Sequence, residues 1–219
     1  MPILEHKPSL IIRCFQTLQD YSVMFEAMKN FTHERDTDLP DEIWLLEHHA
    51  VLTQGQAGKP EHILIDRGLA VVHSDRGGQV TWHGPGQLVG YLLFDLNRLG
   101  WNVRTLVSFT EQLMIDLLKR HQITAYAKPD APGVYVGQKK IGSLGFKIRR
   151  GRSYHGFALN VDCSFEGFET INPCGYANLH MTSINQLKED PTDLATVQHD
   201  LVQYMQNTQF YTNIDVVFQ

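Results

Sequence analysis

Between Gly133 and Val161 the chain carries three short runs, VYV, KIGSLGFKI and YHGFALNV, separated by GQK and RRGR. Runs of β-favouring residues broken by such turn-forming segments are the pattern of successive antiparallel strands joined by tight turns. Helical patterns lie elsewhere. Leu18, Tyr21, Phe25 and Met28 recur at spacings of three and four and predict one buried helix face. Leu106, Phe109, Leu113, Leu117 and Leu118 form an apolar stripe over 103–121, and Leu194, Val197, Leu201 and Met205 another over 193–207. A meander of strands with separated helices predicts an α+β architecture in which the long helix covers a sheet.

Further strands are predicted over 10–15, 43–46 and 88–96, with another beginning at 71–73. The polar, acidic stretch 32–42, with Pro40, reads as an exposed loop, and 55–66 as a second. With 219 residues, 42% hydrophobic and 20% charged, and no linker in view, residues 1–219 are expected to form one domain with a sizeable core.

Nineteen Lys and Arg against 24 Asp and Glu leave a formal charge of −5, which argues against general affinity for nucleic-acid phosphates or anionic membranes. No apolar stretch approaches the length needed to span a bilayer. Glu5, His6 and Lys7 precede a very short apolar run, so the start lacks a signal-peptide profile and a cytoplasmic protein is expected. Cys14, Cys163 and Cys174 are too few for a disulfide framework.

Chemistry concentrates in two places. The stretch RGGQVTWHGPGQ, 76–87, holds four glycines and a proline interleaved with Arg, Thr, Trp and His. Such a density beside a predicted buried strand suits a loop facing a ligand, and an ordinary pair of β-turns is the plain alternative. It lacks the GK[ST] ending of a phosphate loop and the spacing of a dinucleotide fingerprint. Cys174, in Asn172-Pro173-Cys174-Gly175, sits in a turn that displays a small side chain, whereas Cys14 lies in an apolar run. A nucleophilic thiol needs a base or a nearby cation, and His83, His155, His180 and Lys140 are the candidates. The spacing of Cys163, Cys174 and His180 matches no tight zinc pair, so no metal is expected. Lys139, Lys140, Lys147, Arg149, Arg150 and Arg152 form a basic run free of acids. It reads equally as a docking patch for an acidic carrier and as a solvated hairpin tip.

Taken together, RGGQVTWHGPGQLVGY at 76–91, KIGSLGFKI at 140–148, HGFALNV at 155–161, INPCG from Ile171 and MTS ending at Ser183 resemble the lipoyl(octanoyl) transferases, with the motifs in family order. The resemblance implies the fold of lipoate and biotin protein ligases, related to the class II aminoacyl-tRNA synthetase core: a mixed, largely antiparallel sheet flanked by helices. It implies that Cys174 is the nucleophile carrying an acyl-thioester and that Lys140 is the lysine favouring its thiolate. It further implies an acyl-substrate site lined by Arg76, Gly77, Gly78, Gln79, Val80, Thr81, Trp82 and His83, by Ser143, Leu144 and Gly145, and by Gly156, Phe157 and Ala158.

The implied reaction is the first step of endogenous protein lipoylation and runs by a ping-pong route. An octanoyl (or lipoyl) group, delivered on the phosphopantetheine of acyl carrier protein, passes to Cys174 and then to a lysine amine of a lipoyl domain. The acceptors implied are the lipoyl domains of 2-oxoacid dehydrogenase complexes and the glycine cleavage H protein. Neither ATP nor a metal is implied, no nucleic acid or membrane takes part, and the family suggests a monomer. Three rivals differ in testable ways: an ATP-dependent ligase on the same fold, which needs no cysteine; a cysteine hydrolase pairing Cys174 with His83 or His180; and a non-catalytic module that binds a carrier through the basic run.

Overall fold

The computed structural model describes residues 8–36, 38–176 and 179–219; Glu5, His6 and Lys7 lie outside them. The strands are β1 (Ser9–Cys14), β2 (Asp41–Leu46), β3 (Val51–Gln54), β4 (Val71–His73), β5 (Val80–His83), β6 (Gln87–Leu93), β7 (Tyr126–Lys128), β8 (Ala131–Val136), β9 (Lys139–Arg149), β10 (Arg152–Asn160) and β11 (Asn213–Phe218). The helices are α1 (Tyr21–Glu34), α2 (Leu96–Leu99), α3 (Val103–Arg120) and α4 (Leu194–Gln206). Eight strands form one mixed sheet in the order β11-β1-β2-β6-β10-β9-β8-β7. Within this sheet, among the described residues, only β1 pairs in parallel, with β11 and β2, and the other five ladders are antiparallel. A second sheet, β4-β3-β5, lies beside it.

The central strands are buried on both faces, and the two-residue period of a strand divides their side chains. Ile43, Leu45, Leu88 and Leu92 join a core with Leu106, Leu113 and Leu117 of α3 and Val197 and Leu201 of α4. Trp44, Leu46, Val89 and Tyr91 face the other way and meet Met24 and Met28 of α1. Leu52, Val80, Trp82, Phe168 and Ile171 make a third cluster around the small sheet. The helices begin where the sequence offers a cap: Asp20, Asn102 and Asp193 each accept a hydrogen bond from a backbone N–H of the first turn.

The meander from β8 to β10 and the spans of α3 and α4 follow the sequence pattern, and three expectations are corrected. Leu18 lies outside α1, because Asp20 caps the helix only at Tyr21. The stretch 32–42 is not an exposed loop throughout. Asp41 and Glu42 are buried in β2, where the Asp41 carboxylate meets Arg35 at 2.9 Å and Arg98 at 2.6 Å, and Glu42 meets Arg13 at 2.7 Å. Charges read as solvent-seeking are therefore paired inside. The strand expected to reach residue 96 stops at Leu93, since Asp95 caps α2.

One backbone contact governs the middle of the sheet. Gly156 of β10 faces Tyr91 of β6, and a Cβ at Gly156 would stand 1.9 Å from the Gly90 carbonyl oxygen. The two strands approach so closely there that no side chain fits.

Candidate active site

Cys174 is the middle residue of a single 3₁₀ turn, Pro173–Gly175, and takes left-handed backbone angles (φ 56°, ψ 17°), followed by Gly175 at φ 77°. A non-glycine residue held there costs about 1–2 kcal/mol, which the surrounding hydrogen bonds must offset. Gly175 N–H donates to Asn172 O (2.9 Å), Tyr176 N–H to Pro173 O (3.1 Å), and Asn172 N–H ties the turn to His62 O (2.8 Å). The side chain is half-buried, while Cys14 and Cys163 are buried and their thiols pushed up by burial, to about 11 and about 12. Of the three thiols, Cys174 is thus the one that is not buried.

Lys140 reaches it from β9. Its Nζ lies 3.4 Å from Cys174 Sγ, donates to Pro132 O at 2.9 Å, and sits 5.5 Å from the Tyr135 ring centroid. The residue is only 3% exposed. Its backbone is fixed as well: Lys140 N–H donates to His180 O (2.9 Å) and Thr182 N–H to Lys140 O (3.0 Å), so the segment after Cys174 is stitched to the strand bearing the lysine.

The two side chains open onto a cavity of about 420 Å³, within the range of small-molecule sites. Of the residues the sequence assigned to the acyl site, Arg76 to Thr81, His83, Ser143 to Gly145 and Gly156 to Ala158 line it. Trp82 is the correction: it alternates to the other face of β5, where its ring packs on Phe168 with centroids 5.3 Å apart. Arg76 is buried, and its guanidinium donates to Thr53 O (2.7 Å), Gln79 O (2.7 Å) and Gly77 O (2.9 Å), holding the glycine-rich segment in shape. That segment is not a loop or a pair of turns throughout: Val80–His83 is a strand, and Gly77 N–H docks the loop before it onto β9 through Phe146 O (3.0 Å).

A buried polar group closes one part of the cavity. His83 Nδ1–H donates to Gln87 Oε1 (2.7 Å), and Gln87 passes a hydrogen bond to Asn160 (2.9 Å). Tyr21 stacks on His83 with 10° between the ring planes. Tyr91 O–H donates to His48 Nε2 (2.6 Å), whose Nδ1–H donates to Gln19 O (3.0 Å). Burial pushes His48 down to about 4 and His83, aided by the nearby His48 and Arg76, to about 3, so both rings are neutral at pH 7. His155, at φ 59°, donates from Nε2 to Asp75 Oδ1 (2.9 Å), and its buried Nδ1 has no partner among the described residues. Burial lowers its proton affinity against the pull of Asp75.

Of the candidate bases, His83 and His155 line the cavity with Lys140, whereas His180 meets β9 through its backbone carbonyl. Sequence reasoning missed Tyr21 and Tyr91, and Val103 and Val107 of α3, all of which line the cavity. Helical spacing marked Tyr21 as core, and nothing in a single sequence separates an aromatic that lines a cavity from one that fills a core. Among the described residues, no group of three His, Cys, Asp or Glu side chains is placed to hold a metal ion, and no helix is long and apolar enough to cross a membrane.

Comparison with known proteins places these features. Residues 20–206 match the model of the lipoyl protein ligase A/B catalytic domain. An octanoyltransferase of Acinetobacter baylyi is 61% identical over 213 residues, covering 97% of each chain, and one of Pseudomonas putida is 60% identical over 170 residues, covering 78% of this chain and 79% of the relative. Among solved structures, lipoate-protein ligase A bound with ATP superposes with a TM-score of 0.74 at 12% identity, covering 98% of this chain and 88% of that one. The Aquifex aeolicus biotin protein ligase in complex with biotin and ATP gives 0.52 at 11% identity, covering 91% and 69%. Such low identities speak for the fold, and the matched domain and the bacterial relatives for the lineage: the chain belongs to the lipoyl protein ligase A/B catalytic domain family.

Proposed function

We propose that this protein is an octanoyltransferase of protein lipoylation, a cysteine/lysine acyltransferase working through Cys174 and Lys140. The observation that carries the reading is the 3.4 Å approach of a buried lysine ammonium to a displayed cysteine at a cavity, in a chain 61% identical to a protein named octanoyltransferase. The Cys174 thiolate attacks the carbonyl of an octanoyl thioester carried on the phosphopantetheine of acyl carrier protein. A new C–S bond forms, the carrier's C–S bond breaks, and the departing thiolate takes a proton from Lys140. A lysine amine of a lipoyl domain then attacks the acyl-Cys174 thioester, an amide bond forms, Cys174 leaves as thiolate and the amine proton returns to Lys140. Both steps start from a thioester, so ATP is not consumed, and sulfur serves as nucleophile and leaving group in turn.

The cavity beside the pair, with Leu144, Phe157, Ala158, Val103 and Val107 in its wall, suits a saturated acyl chain. An archaeal lipoate protein ligase from Thermoplasma acidophilum, studied with its E2 lipoyl domain, has the same fold (TM-score 0.74, 12% identity, covering 98% of this chain and 87% of that one). This supports a lipoyl domain as acceptor here. In this reading residues 1–219 act as one catalytic unit in the cytoplasm, where the thiols stay reduced.

Intact-protein mass spectrometry after mixing with octanoyl carrier protein tests it. Wild type is expected to gain one octanoyl group, Cys174→Ala none, and Lys140→Ala the same adduct more slowly. An unmodified wild type after rapid quenching, or a Cys174→Ala protein that gains the adduct, overturns the proposal.

A further inference from the structure

The Pro132–Gly133 peptide has a side chain at each end. Its carbonyl accepts from Lys140 Nζ at 2.9 Å, and its N–H donates to Glu111 Oε1 of α3, also at 2.9 Å. The peptide is free for both because it lies in an irregularity of the sheet. Pairing of β8 with β9 starts at Val134, and on the β7 side the register jumps from Val134 to Ala131. A bulge of this kind leaves backbone groups outside the ladder and re-aims them. The peptide is also pressed directly against the lysine. Gly133 has φ 135°, and a Cβ there would stand 2.4 Å from Lys140 Cε and 2.8 Å from Nζ. Glu111 is half-buried and is not among the residues lining the cavity, so its contact with the Lys140 side chain runs through this peptide.

We propose that Glu111 is a positioning residue for acyl transfer: by clamping the Pro132–Gly133 peptide from α3, it aims the Pro132 carbonyl so that Lys140 Nζ is held against Cys174 Sγ. The inference rests on the transferase reading for its role in catalysis, and on the hydrogen bonds alone for its role in placing Lys140. A carboxylate at the N–H end and an ammonium at the C=O end polarise the amide in the same sense, so each hydrogen bond strengthens the other. The lysine has three hydrogens and a flexible stem. Loosening the Pro132 carbonyl removes the shortest hydrogen bond that holds its ammonium beside the thiol.

The test follows alkylation of Cys174 by iodoacetamide across pH, together with the rate of octanoyl adduct formation, in wild type, Glu111→Ala, Glu111→Gln and Glu111→Asp. In Glu111→Ala the alkylation midpoint is expected to move to higher pH and adduct formation to slow on the order of tenfold, the size of one hydrogen bond to a charged group. Glu111→Gln keeps an acceptor oxygen in place and is expected to restore most of the loss. Glu111→Asp keeps the charge but withdraws the oxygen by one methylene. It is expected to behave like the alanine variant, and it carries the test should that variant fail to fold. In a Lys140→Ala background, Glu111→Ala is expected to add nothing further.

An unchanged alkylation profile in Glu111→Ala and Glu111→Asp overturns the inference. So does a midpoint moving to lower pH, which the loss of a nearby anion would give by itself, or an undiminished effect without Lys140. If wild type takes up no octanoyl group, the transferase reading falls, while the alkylation profiles still decide whether Glu111 places Lys140.

Discussion

The display of Cys174 is legible because its neighbours are turn formers, whereas a chemical role is not, since context alone leaves a nucleophile and an ordinary turn cysteine about equally favoured. Its partner was not legible in the same way: Lys140 was one of four candidates until a resemblance singled it out, because the approach of β9 to Pro173–Gly175 depends on tertiary contacts. Glu111 gave no signal at all, since an acidic residue on an amphipathic helix looks like a solvated face. The same scale yields a prediction at Gly133. Gly133→Ala would put a Cβ 2.4 Å from Lys140 Cε on backbone at φ 135°, displacing the lysine by a fraction of an ångström or more. Adduct formation should slow on the order of tenfold to a hundredfold in a protein that still folds. Rates equal to wild type would show that Lys140 tolerates the shift.

The helices α3 and α4 could be read from their periods, and β8 to β10 from the turn formers GQK and RRGR that separate VYV, KIGSLGFKI and YHGFALNV. The short strands β3, β5, β7 and β11 were not identified. Three to six residues with mixed polarity carry too little periodicity, and their pairing is decided by neighbours far along the chain. Pairing also explains why Gly156 must stay bare. Gly156→Ala forces a Cβ to within 1.9 Å of the Gly90 carbonyl, and both are backbone in the centre of the sheet. Destabilisation of about 1–3 kcal/mol or more is expected, read as a lower melting temperature in calorimetry. An unchanged melting temperature would mean that β6 and β10 can separate without cost.

For the whole molecule, the buried imidazoles set an acid limit. His48 and His83 titrate near 4 and near 3 in the fold, below the ordinary value of 6.5, because burial disfavours their charged forms. Below pH 6.5 the unfolded chain takes up protons that the folded chain refuses. Stability is therefore undiminished above about pH 6.5 and declines as the pH falls toward 4 and then 3. For His48 alone the full displacement corresponds to roughly 3 kcal/mol. Urea unfolding at pH 7 and pH 5 should give a lower midpoint at pH 5, and equal midpoints would contradict the burial argument.

The parallel pairing of β1 with β11 has a consequence for how the molecule is made. Ser9 to Cys14 lie alongside Asn213 to Phe218, with Gln219 N–H donating to Cys14 O at 2.9 Å. During vectorial synthesis on the ribosome, β1 emerges first and its partner about two hundred residues later. Until then one side of β1 is an unpaired edge, a template for adventitious strand addition. A nascent chain stalled before residue 213 therefore leaves that side of β1 open.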